Sequence, residues 1–180
     1  MKETSASWQT RRSIRLRGGD YTQIGAYFFT ICAHERACVF GTIADGAMNL
    51  NADGRIVWNC WHALPNHFPN IAPDEFIVML NHVHGLIRIM EKTGDGEISS
   101  PRGTAPHSLG AILQNFKSVS ARAIKRRRGV PGAKVWQRNY FERIVRDEKE
   151  LIAIQRYILE NPLRWPDDKN HPAQTQDADP

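Results

Sequence analysis

The stretch EFIVMLNHVHGLIRIM, residues 75–90, constrains the fold more than any other part of the chain. It is rich in β-branched and large apolar side chains, which favour strands. Its length predicts two paired strands or one bent strand, since single strands span about 3 to 10 residues. Alternate residues of a strand share a face, so His82 and His84 point the same way. They are therefore either two ligands of one metal ion or two polar residues on a sheet surface.

Three other segments show the apolar spacing of amphipathic helices. The first begins at Arg55, after a turn signal at Asp53-Gly54. The second is SLGAILQNFKSVSARAIKRRRG, with Ser108 as its N-cap and the final glycine as its end. The third is DEKELIAIQRYILENP, with Asp147 as its N-cap. Each helix pattern is separated from the next by strand-like sequence.

Strand-like segments lie at residues 26–35, 75–90 and 133–146. This order predicts an α+β domain over residues 21–165, with helices on one face of a mostly antiparallel sheet. Residues 1–20 are expected to form a basic arm, and residues 166–180 a polar, disordered tail.

Charge is distributed unevenly along the chain, whose net charge is +5. Residues 108–146 contain ten lysines and arginines against one acid, and residues 1–20 contain five against two. Residues 166–180 reverse the balance, with four acids against one base. Segregation of this kind is typical of proteins that bind polyanions, so the sequence predicts a nucleic-acid partner.

Several other classes of protein are disfavoured by the sequence. No apolar run is long enough to cross a bilayer, and the N-terminus lacks the apolar core of a signal peptide, which predicts a cytoplasmic protein without a membrane partner. The three cysteines lack CxxC spacing and predict neither a disulfide framework nor a zinc knuckle. No GxxxxGK[ST] phosphate loop is present, so no nucleotide cofactor is expected.

The third helix places Tyr157 and Asn161 one turn apart on a common face. Ile154 and Ile158 form the core-facing stripe beside them, which keeps the tyrosine near the sheet. Spacing alone favours a half-buried packing role for Tyr157 over a chemical one.

Four segments occur in an order that resembles the single-tyrosine HUH transposases: LNHVHGLI, SLGAILQNFKS, VWQRNYFERIVRDEKEL and RYILENPLRW. The resemblance is strongest to the branch associated with repetitive extragenic palindromes, the RAYT proteins, whose usual opening resembles RRSIRLRGGDYTQIGAYFFTIC. It covers the chain from about Arg11 to Trp165. It implies a ferredoxin-like sheet with the histidines on a central strand, and a metal-dependent endonuclease and strand transferase that acts on single-stranded, hairpin-bearing DNA.

The resemblance also implies roles for individual residues. His82 and His84 would be metal ligands, Asn161 the third ligand, and Tyr157 the nucleophile that forms a 5′-phosphotyrosine intermediate. A hard cation, Mg²⁺ or Mn²⁺, is expected. Leu80 departs from the family, which usually has proline there.

Tyr140 is a competing candidate nucleophile. The residue four positions later, Ile144, is apolar and cannot be a ligand. The requirement that nucleophile and metal lie together therefore favours Tyr157 over Tyr140.

Basic and aromatic side chains are expected to bind the DNA backbone and its unpaired bases. These are Arg11, Arg12, Arg15, Arg17, Lys117, Arg122, Lys125, Arg126, Arg127, Trp136, Arg138 and Tyr140. Trp136 is as well explained as a core residue. Two alternatives stay open, a non-catalytic nucleic-acid-binding protein and a zinc-dependent phosphoesterase, and both a monomer and a homodimer are compatible with the sequence.

Overall fold

A computed structural model describes residues 24–90 and 108–173 of the chain. The strands and helices of this part follow one another in the order β1 (Gly25–Cys32), β2 (Gly41–Ala44), β3 (Ala47–Leu50), α1 (Ala52–His62), β4 (Ile71–Val78), β5 (His82–Ile89), α2 (Leu109–Arg128), β6 (Phe141–Val145) and α3 (Glu148–Glu160). Short 3₁₀ helices span His34–Arg36, Leu64–Asn66 and Asn161–Asp167.

Four of the strands form an antiparallel sheet in the order β4-β5-β1-β6, and β2 and β3 form a separate hairpin. With α1 between β1 and β4, and α2 between β5 and β6, the sheet strands have the βαββαβ connectivity of a ferredoxin-like fold. The predicted fold class is confirmed, and both histidines lie on β5, a central strand. The stretch 75–90 contributes two paired strands. None of the described helices is long and apolar enough to cross a membrane.

The helices cover both faces of this sheet, so the prediction that they lie on one face is wrong. Helices α1 and α2 pack over Phe29 and Ile87. Helix α3 packs over Phe28 and Leu86 on the opposite face. Consecutive residues of both central strands are large and apolar, so each face must be shielded from water. His82, His84 and Leu86 are alternate residues of β5 and share one face. Helix α3, which covers Leu86, therefore lies on the same face as the histidines.

Gly85 fits the central strand to the α1 and α2 face. A Cβ atom at this position would lie 2.4 Å from the Phe29 ring and 3.1 Å from the Phe76 ring. Phe76 in turn stacks on Trp61 of α1, with ring centroids 4.5 Å apart. The glycine that follows His84 thus allows aromatic rings to close over the strand.

The first helix begins three residues earlier than predicted, and Asp53-Gly54 belongs to its first turn. The Asn51 side chain caps it by accepting from the amides of Asp53 and Gly54. A Cβ at Gly54 would lie 2.2 Å from the Phe40 carbonyl oxygen, so glycine is required for this close approach. The nearby hairpin turn is Asp45-Gly46, where both residues have positive φ.

The predicted domain boundary at Trp165 is also wrong. A 3₁₀ helix runs past it to Asp167, and Asp168 and Asn170 are buried. The Asn170 carbonyl accepts a hydrogen bond from Asn81, which holds this segment on the domain. Residues 166–173 are thus part of the packed structure, whereas residues 1–20 and 174–180 lie outside the described residues.

Candidate metal and nucleophile site

His82 and His84 face each other at the centre of the site. Their Nε2 atoms are 3.0 Å apart, and both side chains are completely buried. Burial lowers the pKa of His82 to about 4, although the Asp168 carboxylate opposes this effect. Burial, and then the neighbouring His82, lower the pKa of His84 well below its usual value. Both imidazoles are therefore neutral at pH 7, the form in which they can bind a metal.

Asn81 fixes the tautomer of His82. Its amide nitrogen donates to the carbonyls of Arg36 and Asn170, so its oxygen must be the atom that faces the imidazole. The Nδ1–H of His82 donates to this oxygen over 2.8 Å. Because Nδ1 holds the proton, the lone pair of His82 lies on Nε2 and points into the site.

Thr30 supports His84 in a similar way. Thr30 and His84 are directly paired across β1 and β5. The Thr30 hydroxyl lies 2.8 Å from Nδ1 of His84, where it can accept the Nδ1–H and leave the Nε2 lone pair free. Phe28 stacks on the same imidazole, with ring centroids 5.5 Å apart. The ring of His84 is thus held on one edge and one face.

Helix α3 brings Tyr157 to the histidines. The Tyr157 hydroxyl lies 3.2 Å from Nε2 of His84, and its ring packs edge-on against Phe28. Burial, followed by the negative charge of Asp168, raises the pKa of Tyr157, so the phenol is protonated at pH 7. Nucleophilic attack by this hydroxyl requires a nearby positive charge that favours the phenolate.

Asn161 follows α3 and completes the group that the sequence predicted. It is 1% exposed, and its Oδ1 has no hydrogen-bond partner among the described residues. Its Nδ2 donates to Asp168 over 3.2 Å. A buried carbonyl oxygen without a partner is costly. A metal ion bound here would satisfy it.

Asp168 was not predicted as a site residue. One of its oxygens lies 3.9 Å from Nε2 of His82, and the other accepts from the Asn170 amide over 2.6 Å. Nitrogen and oxygen atoms of His82, His84 and Asp168 lie within 4.8 Å of one another. No sequence pattern marked Asp168 as a site residue, because it lies in a polar segment whose composition is typical of a disordered tail. Two imidazoles, an amide oxygen and a carboxylate suit a divalent cation.

A cavity of about 880 Å³ opens beside Tyr157 and Asn161. The buried histidines lie next to Tyr157 and do not line it, and we call it the histidine cavity for this proximity. Phe28 and Phe141 form apolar walls. Three cationic side chains, Arg143, Arg164 and Lys169, and two acidic ones, Asp167 and Asp168, also line it. Lys169 lies over the Phe141 ring, 5.4 Å from its centroid. The cavity can therefore accept an anion next to the tyrosine hydroxyl.

The predicted DNA-binding residues are only partly brought together. Lys117, Lys125, Arg138 and Tyr140 line a second cavity of about 520 Å³ between α2 and the segment that follows it, and we call it the α2 cavity. Lys117 donates to the carbonyls of Gln137 and Arg138, which ties that segment to α2. Arg122 and Arg126 are exposed on α2 and are not part of the cavity lining. The predicted arm residues Arg11, Arg12, Arg15 and Arg17 lie outside the described residues.

Trp136 is not available for stacking on bases. It is 8% exposed, and its indole N–H donates to the buried hydroxyl of Ser120. Trp136 is therefore a core residue, and its assignment to the DNA surface is wrong in this structure. Arg127 forms an ion pair with buried Asp53 at 2.7 Å, and Arg128 pairs with the same carboxylate. Arg127 therefore anchors α2 to α1.

Replacing Thr30 with valine is expected to weaken metal binding about 10- to 100-fold, the usual range for loss of a group that orients a metal-binding histidine. The change keeps the shape of the side chain but removes the acceptor for His84 Nδ1–H. Calorimetric titration with Mn²⁺ measures the effect. Thr42→Val, on the exposed face of β2, is the matched control and should bind Mn²⁺ like the wild type.

The metal-free protein is expected to lose stability as the pH falls from 7 to 5. The unfolded chain takes up protons on histidine near pH 6.5, whereas the folded pKa of His82 is about 4 and that of His84 is also well lowered. The loss should be about 2 kcal/mol for each buried histidine. Urea unfolding in EDTA at the two pH values measures it. A His82→Gln/His84→Gln variant should lack this part of the pH dependence, and an unchanged slope would contradict the assignment.

A sequence relative shows the family to which this chain belongs. The chain is 40% identical over 170 residues to an uncharacterized protein of Haemophilus influenzae. The aligned region covers 88% of this chain and 92% of that protein. The chain belongs to the same family as that protein. No protein-family model matches the chain.

Two solved structures are similar to this member of the family. One is the structure of a REP-associated tyrosine transposase bound to a REP hairpin, with a TM-score of 0.56 and 16% identity over 88% of this chain and 74% of that one. The other is a putative transposase from Deinococcus radiodurans, with a TM-score of 0.47 and 16% identity over 82% of this chain and 98% of that one. The first likeness shows that the two proteins share a fold.

Proposed function

We propose that this protein is a metal-dependent, single-strand DNA endonuclease and strand transferase of the single-tyrosine HUH type. The observation that carries the proposal is the position of the Tyr157 hydroxyl, 3.2 Å from Nε2 of His84. A tyrosine hydroxyl, two neutral imidazoles and the unpartnered Asn161 oxygen thus lie together, and Tyr157 and Asn161 line the adjacent cavity. A purely structural role would not require these groups to converge.

The proposed reaction exchanges one phosphodiester for another. The Tyr157 oxygen forms a bond to phosphorus, its proton passes to water in the cavity, and the bond to the 3′ oxygen breaks. The leaving oxygen takes up a proton, which gives a free 3′-OH and a 5′-phosphotyrosine. Attack of a 3′-OH on that linkage reverses the step, so rejoining needs no nucleotide cofactor.

His82, His84 and Asn161 would hold the metal, and Asp168 lies against the same group. When bound, Mg²⁺ or Mn²⁺ supplies positive charge that polarises the phosphate and favours the phenolate. The residues of the chain orient the reactants. Phe28 packs against both the Tyr157 and His84 rings, and Lys169 adds positive charge at the cavity wall.

Hairpin-bearing DNA is the proposed substrate. The similar REP-associated transposase was solved with a REP hairpin, and this chain has strongly basic surfaces along α2. Phosphate contacts from such surfaces provide affinity without reading sequence. The fold and the charge distribution support this substrate class together.

A covalent-adduct assay tests the proposal. The full chain is incubated with a hairpin-bearing oligonucleotide labelled on the side 3′ of the expected cleavage site, in Mg²⁺ or Mn²⁺, and then denatured. A labelled protein–DNA adduct that EDTA abolishes is the expected result. Failure to form the adduct in either metal, with hairpins taken from the DNA flanking the gene, would falsify the proposal.

The position of Asp168 favours one alternative, a zinc-dependent phosphoesterase. Two histidines and a carboxylate are a common catalytic zinc set, and these three side chains converge here. That enzyme would release product without a covalent intermediate. Stoichiometric zinc in the purified protein, together with hydrolysis that survives Tyr157→Phe, would favour it.

A further inference from the structure

Three cavities of the described chain share lining residues and therefore lie side by side, and we call the three together the groove. A corner cavity of about 300 Å³ shares Thr30, Phe141 and Lys169 with the histidine cavity. The corner cavity shares Gln137 and Tyr140 with the α2 cavity. The groove therefore leads from the nucleophile, past the beginning of β6, to helix α2.

This groove connects opposite faces of the sheet. Helix α3 and Tyr157 belong to the core on one face, and α2 belongs to the core on the other. A ligand that contacts both must pass around the corner of the sheet where β6 begins. A duplex is too wide and stiff for such a path, whereas a single strand can bend around it.

Tyr140 and Phe141 lie on opposite sides of the corner of the sheet, one in each half of the groove. Phe141 packs with the α3 core beside Phe28, and Tyr140 packs with the α2 core, where the Lys117 ammonium lies 5.8 Å from its ring centroid. Consecutive residues at a strand end point to opposite faces. Two half-buried aromatic rings thus line the groove on both sides of the corner.

The charge of the corner and α2 cavities suits a polyanion, whereas Asp167 and Asp168 line the histidine cavity. The α2 cavity is lined by Lys117, Lys125, Lys134 and Arg138, and the corner cavity by Arg36 and Lys169. Among the described residues, neither of these two linings includes an acidic side chain. Aromatic rings between cationic side chains are the usual combination for binding single-stranded nucleic acid.

We propose that this groove binds the unpaired strand next to the scissile phosphate and guides it from Tyr157 around the β6 corner to the α2 cavity. Tyr140 stacks on a base beyond the corner, and Lys134 and Arg138 contact phosphates. The inference rests on the proposed function for its direction from Tyr157. Binding in the groove is a property that can be measured without any chemistry.

The test is binding of an unstructured, fluorescent oligonucleotide of about 10 nucleotides, a length within the range for such sites. The measurement is fluorescence anisotropy in EDTA, which prevents cleavage. Tyr140→Ala should raise Kd about 5- to 160-fold, since a stacked base contributes about 1–3 kcal/mol. Tyr140→Phe keeps the ring and should bind like the wild type. Trp58→Ala removes an exposed aromatic ring on α1, away from the groove, and should have no effect.

Salt dependence tests the cationic part of the groove. Lys134→Ala/Arg138→Ala should reduce the slope of log K against log salt by about 1.4, because each phosphate contact on a single strand contributes about 0.7. Arg55→Ala, an exposed cation on α1, should leave the slope unchanged. Photo-crosslinking with 4-thiothymidine should label the peptide that contains Tyr140 and Phe141.

The outcomes separate this inference from the proposed function. If the adduct forms but Tyr140→Ala binds the oligonucleotide as tightly as Tyr140→Phe, the groove is not the path and the inference is overturned. If Tyr140→Ala weakens binding but no adduct forms in Mg²⁺ or Mn²⁺, the groove stands as a binding site and the proposed enzyme does not. Equal losses for Trp58→Ala and Tyr140→Ala would also overturn the inference.

Discussion

Tyr157→Phe is expected to abolish the covalent protein–DNA adduct while leaving the site otherwise intact. Only one oxygen is removed, and it is the atom that lies 3.2 Å from Nε2 of His84. The phenyl ring can keep its edge-on contact with Phe28. Because Tyr157 is the tyrosine that lines the histidine cavity among the described residues, the adduct should fall below detection, whereas DNA binding and Mn²⁺ binding should change less than about threefold.

Tyr140→Phe is the matched control for this experiment. It removes the same atom from the other tyrosine that the sequence offered as a nucleophile, and Tyr140 lines the corner and α2 cavities, away from the histidine cavity. Adduct formation should proceed as in the wild type. Loss of the adduct in Tyr140→Phe, with its survival in Tyr157→Phe, would transfer the role of nucleophile to Tyr140.

The sequence predicts the elements that carry the site because their signals are local. Alternation places His82 and His84 on one face, and the i, i+4 spacing places Tyr157 and Asn161 one turn apart. The N-caps predicted at Ser108 and Asp147 are confirmed, since each side-chain oxygen accepts a hydrogen bond from the backbone N–H three residues later. These relations depend only on residues close together in the chain.

The parts that were not predicted depend on distant residues. Asp168 joins the site through hydrogen bonds with Asn161 and Asn170, and Asn170 is held by Asn81, the residue before β5. The tail composition of this segment gave no sign of burial. Trp136 is buried because Ser120, on the preceding helix, accepts its indole N–H. The composition of a segment indicates only whether its side chains favour water or the core. The position of Asp168 and Trp136 depends on partners that are distant in the sequence.

The face on which α3 packs was also not accessible from local pattern. Phe28 and Phe29 are equally apolar, so the sequence of β1 does not say which helix covers which face of the sheet. Helix α3 lies over Phe28, the ring that also stacks on His84. This packing brings Tyr157, the proposed nucleophile, to the histidines. If α3 packed over Phe29 instead, the thickness of the sheet would separate Tyr157 from the histidines.

Asn161→Leu is expected to weaken Mn²⁺ binding by more than about 100-fold, beyond the usual effect of losing an orienting group. The two candidates for the third ligand differ in how their oxygens are satisfied. Both Asp168 oxygens have donors or close partners, namely the Asn161 amide, the Asn170 amide and His82. The Asn161 oxygen has no partner among the described residues. Asn161 is therefore the better candidate for the ligand, and Asp168 is the group that orients it.

Asp168→Asn provides the comparison, because it removes the charge while keeping a side chain of nearly the same shape. Its effect on the Mn²⁺ dissociation constant should be about tenfold, and raising the metal concentration should restore adduct formation. Asn161→Asp, which keeps an oxygen at the site, should retain more metal affinity than Asn161→Leu. Thermal unfolding of each metal-free variant separates lost ligation from lost folding. A larger effect for Asp168→Asn than for Asn161→Leu would identify the carboxylate as the ligand, because a side chain that only orients Asn161 cannot contribute more to metal binding than the Asn161 oxygen itself.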